Sequence, residues 1–203
     1  SYAKFVTITA VTDKGKGTRG ISAIIVPTDT PGFTVTAGFE KMGLHGSNTT
    51  ELYFDNVRVP EKNLVGVRGE GFKQFLVVLD GGRIAIGAMG VGIAQACLDA
   101  SLKYAKERQQ FGRPIGTFQA IQFKLADMAM NIELARNMVL KAAWLKDTGQ
   151  PYALEANYAK LFGSEIATKA ALEAIQIHGG YGYINEFPVE RYLRDAKLLE
   201  IGE

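Results

Sequence analysis

The stretch Gln176–Glu203, QIHGGYGYINEFPVERYLRDAKLLEIGE, is the part of the chain from which the fold is best deduced. Three of its glycines interrupt a helical pattern within four positions: Gly179, Gly180 and Gly182. Glycines allow backbone amides and carbonyls to approach a ligand closely. A second helical segment begins after Pro188, and the sequence ends on the carboxylate of Glu203. The stretch therefore predicts a binding corner built from backbone groups, followed by a charged helix.

Length and charge exclude several classes of protein. A chain of 203 residues can bury a sizeable core, as one large domain or two small ones. It carries 23 basic and 21 acidic residues, so no strong electrostatic field favours nucleic acid or a membrane surface. We find no uninterrupted apolar run long enough to span a bilayer and no secretory signal peptide.

The one cysteine, Cys97, lies among alanines on a helical pattern. It cannot form an internal disulfide, which suits a reducing compartment. A buried, small apolar residue is the favoured interpretation of Cys97, and a reactive thiol is the alternative.

Residues 1–65 are rich in β-branched and aromatic residues, which are typical of strands. Four segments have this composition: 5–11, 21–26, 33–36 and 51–54. Turn-forming residues separate them, which predicts an antiparallel region of four or five strands. The region begins abruptly on a strand and would leave open sheet edges, so we expect it to be part of a larger β domain.

After Gly71 the apolar residues recur at helical spacing, which predicts three long helices in a C-terminal domain over 66–203. They cover about residues 72–109, 118–146 and 152–177. We expect the first to be interrupted near 80–82, and Gly149 and Pro151 to separate the other two.

The second and third helices each carry a continuous apolar seam. In the second helix the seam is Ile121, Leu125, Met128, Ile132, Ala135, Val139 and Ala142. In the third it is Ala159, Phe162, Ile166, Ala170, Ala174 and Ile177. Long antiparallel helices with short connections predict a bundle of the four-helix type, so the fold class is α+β.

The two histidines do not predict a metal site, because His45 lies far from His178 in the sequence and no further ligands accompany either. The glycines after His178 resemble a phosphate-binding loop only superficially. They follow a helix rather than a strand, and no Lys-Ser or Lys-Thr pair follows them.

Two charged clusters are candidates for binding. Asp80 and Arg83 share a helix face around two glycines, where they form either a surface ion pair or part of a site. The segment Arg108–Pro114 places two arginines beside an aromatic residue and a proline. These arginines suit bidentate phosphate binding, and an ordinary basic helix end is the alternative.

Over its whole length the sequence resembles the acyl-CoA dehydrogenase family, flavoenzymes that desaturate acyl-CoA thioesters. The matching residues are Gln176, Gly179, Gly180, Gly182, Tyr183, Glu186, Arg191 and Asp195, with Glu107–Arg108, Phe111–Gly112, Gln119–Met128 and Arg194–Lys197. The Leu-Ala-Asp-Met run is most similar to the short-chain, butyryl-type members.

The resemblance implies a role for each matched position. Glu203 matches the family's catalytic base, which removes the α-proton. Some family members carry the base on the first helix instead, and glycine at that position here, Gly82, supports Glu203. The substrate-binding segment is Asp80, Gly81, Gly82 and Arg83. The FAD-binding positions are Arg108, Phe111, Gln119, Gln176, Gly179 and Gly180.

The implied reaction is the α,β-dehydrogenation of acyl-CoA to trans-2-enoyl-CoA, with FAD as cofactor and electron-transferring flavoprotein as electron acceptor. The implied assembly is a homotetramer without metal, nucleic acid or membrane. The expected location is the cytoplasm in a bacterium or the mitochondrial matrix in a eukaryote.

Two alternatives stay open. One is an acyl-CoA oxidase on the same fold, and the other is an inactive helical module that serves oligomerisation. The resemblance also implies that the family's N-terminal domain and opening strands precede this chain. We therefore expect this piece alone to be inactive.

Overall fold

The computed structural model describes residues 2–202, which form two compact units. One unit covers the described chain up to Lys41 together with His45–Leu79. The other comprises Met42–Leu44 and the described chain from Asp80 onward. Glu203, the predicted base, lies outside the described residues. The predicted domain boundary near residue 65 stays a prediction.

The first unit contains a strand at each of the four predicted segments and a fifth, short strand that none of those segments covered. They are β1 (Phe5–Val11), β2 (Ile21–Pro27), β3 (Phe33–Val35), β4 (Leu52–Phe54) and β5 (Leu64–Val65). One sheet has the order β1-β2-β5, and β3 pairs with β4 in a second ladder. Along β1 exposed and half-buried residues alternate, as they do in a strand with one covered face. The mixed fold class predicted from the sequence is confirmed.

The helices are α1 (Gly71–Glu107), α2 (Gln119–Asp147), α3 (Ala153–His178) and α4 (Val189–Ile201). A short hairpin, β6 (Gln109–Gln110) and β7 (Arg113–Pro114), lies between α1 and α2. The predicted seams of α2 and α3 form the core of the second unit. Its buried members include Met128, Ile132, Ala135, Ile166, Ala170, Ala174 and Ile177.

The predicted interruption of the first helix is wrong, because α1 continues through residues 80–82. An interior glycine costs a helix only about 1 kcal/mol relative to alanine. The burial of residues farther along α1, such as Val91, Cys97 and Leu98, outweighs that cost. The ion pair between Asp80 and Arg83 also spans the two glycines.

Helix α1 is long and apolar enough, by length and composition alone, to cross a membrane. Within α1 the longest stretch without a charged residue covers only residues 84–98, so the expectation that no uninterrupted apolar run spans a bilayer is not contradicted. Core helices of water-soluble proteins meet the same criterion, so length and composition alone do not indicate a membrane. The expected absence of a membrane partner stays a prediction.

Helices α1 and α3 approach each other closely at Gly90 and Gly163. A Cβ atom added to Gly90 would lie 2.2 Å from the carbonyl oxygen of Gly163. A Cβ added to Gly163 would lie 2.8 Å from the carbonyl oxygen of Gly87. Both distances are far inside van der Waals contact, so side chains at these positions would push the two helices apart.

We expect Gly90→Ala to lower the free energy of unfolding by about 1–3 kcal/mol, because the new methyl group collides with the backbone of α3. Gly92→Ala is the matched control, since a Cβ there has no neighbour within 4 Å. The control should raise stability by up to about 1 kcal/mol through helix propensity. Urea unfolding of the purified protein measures both, and wild-type stability of Gly90→Ala would contradict the packing described.

Cys97 is fully buried in this core, which confirms its predicted role as a small apolar residue. Burial raises the pKa of the Cys97 thiol to about 12. The thiol is therefore protonated at neutral pH and shielded from reagents.

We expect iodoacetamide at pH 8 to leave Cys97 unmodified in the native protein and to alkylate it fully in denaturant. Peptide mass spectrometry of the purified protein resolves this site from any other cysteine. Rapid labelling of Cys97 under native conditions would contradict the burial described.

Candidate functional site

An open pocket of about 560 Å³ lies at one end of the helical unit. It is lined by Tyr104, Arg108, Gln110, Ile115, Ile177, His178, Gly179, Gly180, Tyr181 and Ile184. The C-terminal ends of α1 and α3 both reach this pocket. It therefore brings together the segment around Arg108 and the segment around Gly179, which lie far apart in the sequence.

Arg108 follows directly after α1 and is held by its own backbone. Its N–H donates to the carbonyl oxygen of Tyr104 at 2.8 Å, and its carbonyl oxygen accepts from the N–H of Ile115 at 2.8 Å. The guanidinium lies 5.5 Å from the ring centroid of Tyr181, within the range of a cation–π contact. None of the ion pairs among residues 2–202 includes Arg108. Its charge is thus available to a ligand.

The backbone at the end of α3 turns sharply at Gly179, where φ is +62°. Residues with side chains rarely adopt this left-handed conformation, so glycine suits the helix end. The N–H of Gly179 donates to the carbonyl oxygens of Gln176 and Ile175. A 3₁₀ turn, Gly179–Tyr183, follows and exposes its first two residues at the pocket.

Gly180 is not required by packing among the described residues. A Cβ atom added there would have no neighbour within 4 Å, and the φ angle is not in the left-handed region. An added side chain would therefore occupy free space beside the pocket-lining backbone. Glycine at this position leaves that backbone open to a ligand.

His178 is the last residue of α3 and is buried. Its Nδ1–H donates to the carbonyl oxygen of Ala174 at 2.7 Å. Its ring stacks on Tyr104 with 4.3 Å between centroids. Burial lowers the pKa of His178 below its usual value, although the hydrogen bond to Ala174 opposes this shift. The imidazole is therefore neutral at pH 7.

The pocket has the chemistry of an anion site with an aromatic wall. Arg108 supplies positive charge, the lining residues include no carboxylate, and Gly179 and Gly180 expose backbone groups. Tyr104 and Tyr181 add flat apolar surface. Among the described residues, no three His, Cys, Asp or Glu side chains converge as metal ligands. The arrangement suits a phosphate-bearing molecule.

Three of the predicted cofactor positions, Arg108, Gly179 and Gly180, line this pocket together. The other three lie outside it. Phe111 is 91 % exposed at the tip of the hairpin β6–β7, with a φ of +53°. Gln119 is exposed at the start of α2, and Gln176 is exposed in the last turn of α3.

The predicted substrate segment is a separate feature of α1. The Nη1 atom of Arg83 lies 2.9 Å from Oδ1 of Asp80, and both side chains are largely covered. Gly81 and Gly82, between them, are half-buried. These four residues do not line the pocket that contains Arg108.

The aromatic residues of the pocket, Tyr104 and Tyr181, were not predicted from the sequence. Tyr104 lies four positions before Arg108, so helical spacing could have placed the two on one face. Tyr181 and Phe187 make ring contacts with each other at 5.5 Å, and Phe187 also meets the edge of His178. No local sequence signal predicts these contacts, because they depend on how α1, α3 and the segment before α4 pack.

The fold and this pocket describe a helical domain with a pocket that suits a phosphate-bearing ligand, and comparison with known proteins identifies the family. The family model described as the acyl-CoA dehydrogenase C-terminal domain matches residues 69–203, and that of the acyl-CoA dehydrogenase middle domain matches residues 1–57. The chain belongs to the acyl-CoA dehydrogenase family, whose members are FAD-containing oxidoreductases.

Individual relatives agree with this assignment. A probable acyl-CoA dehydrogenase of Bacillus subtilis is 67% identical over 100% of this chain and 54% of its own length. The structure of butyryl-CoA dehydrogenase from Megasphaera elsdenii matches with a TM-score of 0.96 and 49% identity, over 98% of this chain and 52% of that chain.

A third similar chain comes from a structure described as the electron transferring flavoprotein of Acidaminococcus fermentans. It has a TM-score of 0.97 and 49% identity, over 99% of this chain and 53% of that chain. The chain described here thus spans about half the length of the relatives that it matches.

The residues of the pocket fit part of FAD. The diphosphate of FAD needs positive charge, which Arg108 supplies, and a surface that it can approach closely, which the backbone without side chains at Gly179 and Gly180 provides. The free space beside Gly180 leaves room for this approach.

We expect Gly180→Ala to weaken FAD binding roughly tenfold, because the added methyl group occupies the free space in front of the backbone. The melting temperature should not change, since no described atom lies within 4 Å of that methyl. Isothermal titration of the apoprotein with FAD measures the affinity.

Gly149→Ala is the control, in which stability should fall and FAD affinity should stay unchanged. Gly149 has a φ of +70°, so alanine there should lower stability by about 1 kcal/mol while FAD affinity stays at the wild-type value. Unchanged FAD affinity in Gly180→Ala would remove Gly180 from the site.

Proposed function

We propose that the protein containing this chain catalyses the FAD-dependent α,β-dehydrogenation of acyl-CoA thioesters to trans-2-enoyl-CoA. The observation that carries the proposal is the convergence of Arg108, Gly179 and Gly180 on one pocket in a chain of the acyl-CoA dehydrogenase family. These residues come from opposite ends of the helical unit's sequence, and only the fold brings them together.

The chain's own residues would hold the cofactor through its diphosphate. Arg108 offers a planar guanidinium for bidentate bonds, and the turn at Gly179 and Gly180 allows the diphosphate to approach the backbone closely. Phe111, Gln119 and Gln176 are exposed and remain available to other parts of FAD, including FAD held mainly by a second subunit. When bound, the flavin accepts the hydride that leaves the substrate β-carbon.

Glu203 is proposed as the base that removes the α-proton. A free glutamate has a pKa of about 4.3, far below that of the thioester α-proton. Burial under the substrate would raise the pKa of the base towards the working pH. Gly82 on α1 offers no competing carboxylate, and Asp80–Arg83 are proposed to line the acyl-CoA site.

Short-chain substrates and electron-transferring flavoprotein are the proposed partners. The similarity to the butyryl-CoA dehydrogenase of Megasphaera elsdenii supports the chain length. The similarity to the chain from the Acidaminococcus fermentans structure supports the electron acceptor.

A homotetramer is the proposed assembly. Large apolar side chains are exposed on the outer faces of α2 and α3: Phe123, Met130, Leu134, Leu161 and Leu172. Such surfaces are unusual on a monomer and suit packing against further copies.

We expect the purified full-length protein to carry a yellow flavin spectrum that bleaches anaerobically on addition of butyryl-CoA. Titration from C4 to C16 acyl-CoAs should give the strongest bleaching with the short chains. If none of the acyl-CoAs bleached the flavin, the proposed reaction would be contradicted. Turnover with dioxygen as fast as with an anaerobic dye would instead identify an oxidase.

We expect Glu203→Gln to lower butyryl-CoA turnover by at least about 100-fold while the flavin spectrum is retained, since the amide cannot accept the α-proton. Glu165→Gln, at an exposed position on α3, is the control and should keep wild-type turnover. Normal turnover in Glu203→Gln would eliminate the assigned base. A parent protein with no turnover at all would favour the oligomerisation module.

A further inference from the structure

We infer that His178 is a positioning residue for the cofactor-facing turn: its ring links α1, α3 and the segment before α4, and so holds the backbone of Gly179 and Gly180 in place. This inference rests on the proposed function, because the turn is assigned there to the diphosphate of FAD. It adds a residue to which neither the motif nor the family resemblance gave a role.

The contacts of His178 leave its ring little freedom. Nδ1–H donates to the carbonyl oxygen of Ala174, one turn earlier on α3. One face stacks on Tyr104 of α1 at an interplanar angle of 22°. Phe187 meets the ring edge-on, with 5.6 Å between centroids, and also contacts Tyr104 at 5.7 Å. Three rings therefore form one mutually packed cluster.

This cluster adjoins the turn through His178. Gly179 follows His178 in the chain, and its left-handed conformation ends α3. A Cβ atom added to Gly179 or Gly180 would meet no atom within 4 Å. On that side, therefore, no neighbouring group packs against the backbone of these two residues. The neighbouring anchor is the ring of His178, which is only 4% exposed.

The role is one of position rather than charge. A neutral imidazole adds no positive charge, so the attraction for an anion comes from Arg108. The hydrogen bond to Ala174 fixes the tautomer and the ring plane, and the stack on Tyr104 fixes the distance between the ends of α1 and α3. The turn and Arg108, which follows Tyr104 by four residues, are thereby held at a constant spacing.

Two substitutions distinguish the two contacts that anchor the His178 ring, the hydrogen bond to Ala174 and the stack on Tyr104. His178→Phe keeps an aromatic ring for the stack and removes the hydrogen bond to Ala174. His178→Asn removes the ring but keeps a donor that reaches the carbonyl four residues earlier, as Asn131 and Asn137 do on α2 at 2.8 Å. His178→Ala removes both anchors.

The test measures the dissociation constants of ADP and FAD for the full-length apoprotein by titration calorimetry, with ADP as the probe that carries the diphosphate without the flavin ring. We expect His178→Phe and His178→Asn each to weaken both ligands about three- to tenfold, and His178→Ala to weaken them more. Ile132→Val in the α2 core is the control: it lowers the melting temperature and leaves both affinities unchanged.

The measured affinities decide whether the His178 ring positions the turn or only fills space in the core. Wild-type affinities in all three His178 variants, with lower melting temperatures, would reduce the ring to a core filler and overturn the inference. A wild-type protein that binds neither ADP nor FAD would instead overturn the proposed function, and this inference with it. If the His178 variants fail to fold, Tyr104→Leu should weaken ADP and Tyr104→Phe should not, and equal ADP affinity in these two would overturn the inference.

Discussion

The contact between α1 and α3 at their glycines is the constraint on which the site depends. From Gly90 to Tyr104 α1 advances 14 residues, and from Gly163 to His178 α3 advances 15 residues, by subtraction of their numbers. At 1.5 Å per residue both helices travel a little over 20 Å from their point of contact. Two helices that touch at one point and continue equally far from it have their ends close together. The ends of α1 and α3 meet in the 4.3 Å stack of Tyr104 on His178.

Glycines serve two different purposes in the helical unit. At Gly90, Gly163 and Gly182 an added Cβ would collide with backbone less than 3 Å away, so these glycines allow close packing. At Gly179 and Gly180 an added Cβ would meet nothing, so these glycines leave backbone open. The first group fixes where the helices end, and the second makes the end of α3 suitable for a ligand. The binding chemistry is therefore a consequence of the packing.

Much of this organisation could be predicted from the sequence, for identifiable reasons. The seams of α2 and α3 follow the helical period closely, so the bounds and buried faces of both helices were correct. The break predicted in α1 was wrong, because the burial of apolar residues farther along the helix outweighs the low helix propensity of its glycines. The family resemblance predicted cofactor roles for Arg108 and Gly179, and both line the pocket. Tyr104 and Phe187 were not, since their contacts exist only after the helices have packed.

The location of the cofactor's diphosphate decides whether the helical unit works as described. A crystal structure of the full-length protein with FAD would show it. We expect electron density for the diphosphate in the pocket formed by Arg108, Gly179 and Gly180, contributed by the same subunit or by a neighbouring copy. Density for FAD elsewhere, with solvent alone at these three residues in every copy, would contradict the assignment of this pocket and the role given to the helix ends.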